Sequence, residues 1–216
     1  MVGGVALGGG APVRIQSMTN TKTEDATATA EQILALTLAG CEIVRVSVYN
    51  EACAAALPAV KERIRIPLVA DIHYDEKLAI LALENGADKI RFNPGNLSSI
   101  EKVKRLAACA RAHHAPIRVG VNAGSLEKDL LQKFGGPKPE AMVESALRHV
   151  RLLEQMGFYD IVVSLKASNV PDTLAAYRGI RQLTEYPLHV GVTEAGDRLS
   201  GVVKSAISFS RRVWPW

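Results

Sequence analysis

The sequence predicts an α/β fold of the TIM-type (β/α)8 class, and three observations carry that expectation. Short Val- and Ile-rich runs alternate with amphipathic stretches along the chain, the runs recur at near-uniform spacing, and no glycine fingerprint follows the first of them. Alternation of this kind builds a parallel sheet. A doubly wound sheet usually carries a glycine fingerprint after its first strand, but here the first run leads into "NTKTEDATATA". Uniform spacing favours a barrel instead. About seven βα units are visible, so the barrel is expected to be incomplete, with closure requiring an eighth strand.

Taken in order, the expected strands are "VRIQSMT" (13–19), "EIVRVSV" (42–48), "PLVADI" (67–72), "DKIRFN" (88–93), "PIRVGVN" (116–122), "DIVVSLK" (160–166) and "PLHVGVT" (187–193). Before the first lies "GGVALGGGAPV", which lacks the G-K-[ST] ending of a P-loop and predicts a hairpin or barrel plug. The helix "AEQILALTLAG" is expected to start with a capping box, Thr29 with Gln32, and to stop at Gly40. A second clear helix is "EAMVESALRHVRLLEQMG"; the segment before it, "AGSLEKDLLQKFGGPKPEA", reads as an extended loop on the active face. "NPGN" (93–96) predicts a turn close to a ligand, and His113 and His114 fall on the opposite side, facing solvent.

Composition narrows the function classes. With 48% hydrophobic and 22% charged residues over 216 positions, the chain reads as an ordinary soluble globular protein with room for a sizeable core. No apolar run suggests a membrane span, and the N-terminus lacks the charged leader of a signal peptide. Cys41, Cys53 and Cys109 show no metal spacing, which predicts reduced, buried thiols and a cytoplasmic setting. A net charge of +4 without Lys/Arg blocks does not point to nucleic acid; a small acidic ligand suits it as well.

The chemical signal is charge inside strands. Arg45, Arg91, Arg118 and Lys166 each interrupt or end an apolar run, and by the two-residue period Arg91 shares a face with Asn93, Arg118 with Asn122, and Asp71 with His73. Cations gathered at a barrel mouth need counter-charge, and Asp71 and Glu194 are the chief carboxylates at strand ends. The imbalance points to a ligand that brings its own negative charge, such as a phosphate or diphosphate; ordinary surface ion pairs are the competing explanation. Asp71, His73 and Asp75 could suggest a metal, but no second His/Cys cluster has ligand spacing, so hydrogen-bonded residues at the mouth are expected. A pterin-type transferase or an aldolase with Lys166 as Schiff base, and a non-catalytic diphosphate-binding module, remain alternatives.

The motifs "GGGAPVRIQSMTNTKTEDATAT", "AGCEIVRVSV", "PLVADIHYD", "DKIRFNPGN", "RVGVNAGSLE", "VVSLKASNV" and "YPLHVGVTEAG", in this order, resemble the 4-hydroxy-3-methylbut-2-enyl diphosphate synthase family from about residue 2 to 206. The resemblance implies a TIM-type barrel joined to a C-terminal domain that holds a [4Fe-4S] cluster. It implies reductive ring opening of 2-C-methyl-D-erythritol 2,4-cyclodiphosphate with electrons from flavodoxin or ferredoxin, in isoprenoid biosynthesis. A homodimer, in the bacterial cytoplasm or plastid stroma, is implied as well. By matching motif, Arg45, Arg91, Arg118 and Lys166 would grip the diphosphate, with Lys204 and Ser205 assisting. Asn93 and Asn122 would bond substrate oxygens, Asp71 and His73 would order the mouth, and Glu194 would sit beside the reacting carbon. The final "ISFSRRVWPW" departs from the family pattern. The expectation is a barrel over 1–207, an aberrant tail over 208–216, cluster ligands and eighth strand lying in a missing C-terminal part, no cluster bound by this chain, and no reduction by this chain alone.

Overall fold

The computed structural model describes residues 1–93, 96–97 and 99–209. Of the expected tail, 210–216 lie outside the described residues, as do Pro94 and Gly95 of the "NPGN" turn. Among the described residues six strands form one parallel sheet in sequence order: β1 (Gln16–Met18), β2 (Ile43–Ser47), β3 (Leu68–Asp71), β4 (Lys89–Arg91), β5 (Ile117–Asn122) and β6 (Ile161–Lys166). Helices α1 (Ala26–Leu38), α2 (Glu51–Lys61), α3 (Glu76–Glu84) and α4 (Ile100–Ala112) make the first crossovers. After β5 come α5 (Lys128–Phe134) and α6 (Pro139–Gln155), and after β6 α7 (Val170–Arg181) and α8 (Arg198–Phe209). The described residues pack as two compact units, one within Met1–Arg118 and Leu152–Ile161, the other within Val119–Arg151 and from Val162 to Phe209.

In the first unit the register sorts side chains into rows. Val46, Ala70, Ile90 and Ile117 pair in succession and are all fully buried, an apolar row against which the crossover helices lay their buried stripes, Leu57 and Val60 of α2 and Ala82 and Leu83 of α3 among them. The opposite face carries two other rows, Met18–Arg45–Val69–Lys89 and Ser47–Asp71–Arg91–Arg118. Beneath them the N-terminal segment forms the expected hairpin. Val2 and Val5 exchange backbone bonds at 2.8 Å, and Val2 packs on Ile43 and Val69 with Val5 and Leu7 alongside. Gly3 and Gly4 turn the corner at φ +47° and +88°, where a side chain would be strained.

Several expectations need correcting. The N-cap of α1 is Asp25, which accepts from the Ala28 amide. Thr29 lies inside the helix and donates to the Lys22 carbonyl, while Gln32 accepts from the Asn20 and Thr21 amides, so side chains of the capping-box pattern tie down the preceding loop. Gly40 does end the helix, at φ +96°. The supposed extended loop after β5 contains a short 3-10 turn, Ala123–Ser125, and α5. The seventh expected strand is a single parallel bridge, Val163 to Leu188, extended by Val163 N to Pro187 O at 2.9 Å and His189 N to Val163 O at 2.8 Å. Cys41 and Cys53 are buried as expected, whereas Cys109 is half-buried.

In the second unit α5 and α6 are clasped by charge. Ser145 donates to Glu127 at 3.1 Å, His149 Nε2 lies 3.2 Å from the same oxygen, and Arg148 reaches Asp129 at 2.6 Å and Glu144 at 3.0 Å. His149 first, and then the Glu127 backbone amide and Ser145, hold the Glu127 carboxyl down at about 2 against its burial.

Two predictions follow from this packing. A Cβ on Gly3 would lie 2.9 Å from both Cγ and Oδ1 of Asp88, a carboxylate held in place by Lys61 and the Leu68 amide on its Oδ2, whereas one on Gly4 would meet nothing within 4 Å. Gly4→Ala should therefore cost only the backbone strain, about 1 kcal/mol, and Gly3→Ala about 2–3 kcal/mol, a gap of a few degrees in Tm by thermal melts. The Glu127 carboxyl is depressed on folding, so its stabilisation is present above its ordinary 4.5 and is lost as pH falls through about 2. Glu127→Gln should lower Tm at pH 7, and its difference from the parent should close over that acid range.

Candidate functional site

At the C-terminal end of the first unit's polar face, β3 and β4 place Asp71 beside Arg91, and β5 places Arg118 next in register. All three are buried, Arg118 to 1% exposure. Asp71 is shared: its Oδ1 lies 3.5 Å from Arg91 Nη1, and its Oδ2 lies 3.8 Å from Arg45 Nε and 3.7 Å from His73 Nε2. Arg91 Nη1 also approaches the His73 ring nitrogens at 3.1 and 3.3 Å. Arg45 further donates through Nε and Nη2 to the Met18 sulfur at 3.1 and 2.9 Å. Burial draws the Arg91 guanidinium below its ordinary value; Asp71 opposes this and Arg45 reinforces it. The expected association of Arg45, Asp71, His73, Arg91 and Arg118 is therefore one cluster. Asn93 follows β4 by two residues, half-buried, and its carbonyl accepts from Asn96 at 2.9 Å, while the Asn96 side chain donates to the His73 carbonyl at 3.0 Å.

The sequence reading missed Lys89. It lies two residues before Arg91 on the same face, is 1% exposed, and donates to Gln16 Oε1 at 3.1 Å. The alternation that singled out Arg91 and Asn93 also marks Lys89, but a lysine at a strand's first residue reads as a surface position. Burial, then Arg118, then Arg45 lower its ammonium from 10.5 to about 7. Asp75, the third member of the considered metal motif, caps α3 by accepting from the Lys77 amide at 2.8 Å. Among the described residues no three His, Cys, Asp or Glu side chains are grouped to hold a metal ion.

The second unit holds the other candidates. Asn122 ends β5, and its carbonyl accepts from Ser125 at 3.3 Å. Lys166 ends β6 beside Gly191, where a Cβ would lie 3.2 Å from both Cε and Nζ, so glycine there makes room for the lysine. Glu194 stands exposed at φ +49°, a left-handed conformation unusual for a non-glycine residue, with Oε1 close to Gly124. Thr193 N donates to the Ala167 carbonyl at 3.2 Å and Lys204 Nζ to the Ser168 carbonyl at 3.2 Å, which ties both the "TEAG" segment and α8 to the chain just after β6. Ser205 is half-buried on α8 next to Lys204.

A buried ammonium with one acceptor and guanidinium neighbours costs stability. Between about 7 and 10.5 the unfolded chain holds a proton that folded Lys89 has lost, so stability rises with pH across that window. Lys89→Met should raise Tm at pH 7, and its advantage should shrink as pH approaches 10, measured by thermal melts along a pH series.

Comparison with known proteins adds to this geometry. A family model described as the GcpE TIM-barrel domain matches residues 1–213. The 4-hydroxy-3-methylbut-2-en-1-yl diphosphate synthase (flavodoxin) of Geobacter sulfurreducens is 58% identical over 206 residues, 95% of this chain and 58% of that protein. The protein of the same name from Nitratidesulfovibrio vulgaris is 52% identical over 213 residues, 99% of this chain and 55% of that protein. This chain thus spans somewhat more than half the length of these relatives. Among solved structures, Yersinia pestis dihydropteroate synthase aligns with a TM-score of 0.61 at 13% identity, over 90% of this chain and 79% of that one. A truncated 3-deoxy-D-arabino-heptulosonate 7-phosphate synthase from Thermotoga maritima aligns at 0.60 with 16% identity, over 88% of this chain and 67% of that one. At such identities the likeness is one of fold. The strand-end residues, the parallel βα order and the match over nearly the whole chain agree: the chain belongs to the GcpE TIM-barrel domain family.

Proposed function

We propose that this chain is the substrate-binding part of a 4-hydroxy-3-methylbut-2-enyl diphosphate synthase, and that the polar face of its first unit receives the diphosphate of 2-C-methyl-D-erythritol 2,4-cyclodiphosphate. The observation that carries this reading is the charge imbalance on that face: Arg45, Lys89, Arg91 and Arg118 occupy two adjacent rows in which Asp71 is the one carboxylate. Guanidiniums suit phosphate oxygens because they stay charged and donate in a planar fork. Asp71 holds Arg45 and Arg91 by ion pairs and lies 3.7 Å from His73 Nε2, which limits what ligand binding must order. The resemblance assigns Lys166, with Lys204 and Ser205 assisting, to the diphosphate, Asn93 and Asn122 to substrate oxygens, and Glu194 to the reacting carbon.

In this reading the complete enzyme opens the substrate ring with two electrons from flavodoxin or ferredoxin and releases the hydroxyl as water, as a homodimer in bacterial cytoplasm or plastid stroma. A [4Fe-4S] cluster would supply the electron transfer, but the thiols of this chain do not fit one. Cys41 donates to the Ile43 carbonyl and Cys53 to Glu24, each at 3.0 Å. Burial, above all, raises the Cys53 and Cys109 thiols, whereas iron ligation needs thiolates. The role read here is binding and orientation.

Calorimetric titration of the chain with the cyclodiphosphate should show binding that weakens with added salt. Arg91→Met and Arg118→Met should each weaken it at least about tenfold, the cost of a lost charge-assisted hydrogen bond. Folded variants that bind as tightly as the parent chain would refute the assignment.

A further inference from the structure

Lys89 differs from the other bases of the polar face. Its Nζ donates to Gln16 Oε1, and among the described residues it has no carboxylate partner. Below it lies the apolar floor of Val2 and Ile43, which packs against Val69 of its own row. Beside it, across Val69 in the same row, stands Arg45; one row above stand Asp71, Arg91 and Arg118, about 6.6 Å further along the strands by the β rise. Asp71 is engaged with Arg45, Arg91 and His73. The groups facing Lys89 are thus Gln16 from β1, Arg45 from β2, Asp71 from β3, Arg91 from its own strand and Arg118 from β5.

Arginine does not give up its proton in a protein, so of these bases only the lysine can shed charge when they face one another without an anion. Such a diphosphate, set against Arg91 and Arg118, reverses the sign of the potential at Nζ and favours the ammonium. We propose that Lys89 is the adjustable charge of this anion site, neutral in the free protein and protonated from solvent when a diphosphate binds. The proposal rests on the diphosphate reading above and gives Lys89 a positioning role beneath the ligand, through the guanidiniums. Burial with Arg118 and Arg45 puts its free-state titration at about 7, so the uptake belongs to the neutral-to-alkaline range.

The test is calorimetry with inorganic pyrophosphate, on the chain and on Lys89→Met, in two buffers of different ionisation enthalpy at pH 8 and pH 5.5. The probe's own titration is common to both proteins and cancels in the difference. At pH 8 the parent should take up close to one proton more than the variant, an excess that vanishes at pH 5.5. Above neutrality its affinity should fall by up to about tenfold per pH unit relative to the variant. A second measurement is read on the parent chain itself: labelled with 13C at lysine Cε, its Lys89 signal, assigned by its loss in Lys89→Arg, should titrate at higher pH with pyrophosphate present. Equal proton uptake by both proteins, or an unmoved Lys89 midpoint, would overturn the proton role while leaving the binding site intact. Failure of the parent chain to bind pyrophosphate would overturn the diphosphate reading and this proposal together.

Discussion

Like charges crowded onto the inner rows of a parallel sheet are the constraint to which the rest of the first unit responds. Arg45, Lys89, Arg91 and Arg118 project from strands whose other face is apolar and fully buried at Val46, Ala70, Ile90 and Ile117. A cation removed from water costs several kcal/mol unless it is paired, and one carboxylate cannot fully pair three guanidiniums. The stability that offsets this comes from elsewhere: the apolar row beneath the helices, and the hairpin that seals the lower end of the charged face with Val2, Val5 and Leu7. The hairpin is therefore tied to the site's chemistry through the apolar floor it builds with Ile43 and Val69. It keeps water from the bottom of the face, and the low local dielectric makes each charge above it count for more.

What the sequence disclosed, and what it hid, follows from the range of the interactions involved. Strand alternation is local, so Asp71 and His73 could be set on one face from spacing alone, whereas the register that puts Arg91 beside Arg118 could not. Gly40 could be read as a helix stop for the same reason. The failures are tertiary. Thr29 and Gln32 have the composition of a capping box but bond to the loop before the helix, and Asp25 caps it. Helix α5 was hidden because glycines and prolines flank a short run, and its clasp to α6 through Glu127, Ser145 and His149 joins residues far apart in sequence. Lys89 was hidden by the habit of reading lysine as exposed, although its period with Arg91 was in plain view.

The second unit raises a different point. Glu194 holds a positive φ of 49°, a conformation that a non-glycine residue adopts at some cost. Its loop is pinned where Thr193 bonds to Ala167, and Lys204 of α8 is pinned by Ser168, so both anchors lie within two residues of Lys166. Gly191 leaves the room in which Lys166 lies. Three candidate side chains are thus positioned by one short stretch after β6. No single-residue propensity encodes that arrangement: charge at strand ends pointed to Lys166 and Glu194, whereas Lys204 came only with the family resemblance.

Asp71 decides how the charged rows behave. It faces Arg45, Arg91 and His73 at 3.5–3.8 Å, distances that suit mutual attraction but exceed those of tight charge-assisted hydrogen bonds. A carboxylate held this loosely orients its neighbours without using up their donors. Were it bonded closely to either arginine, an incoming anion would have to displace it; were it absent, the guanidiniums would separate and bury less. Sharing one carboxylate among three bases leaves the face cationic and keeps its guanidiniums near each other. A polyanion can then engage them without first breaking a strong pair.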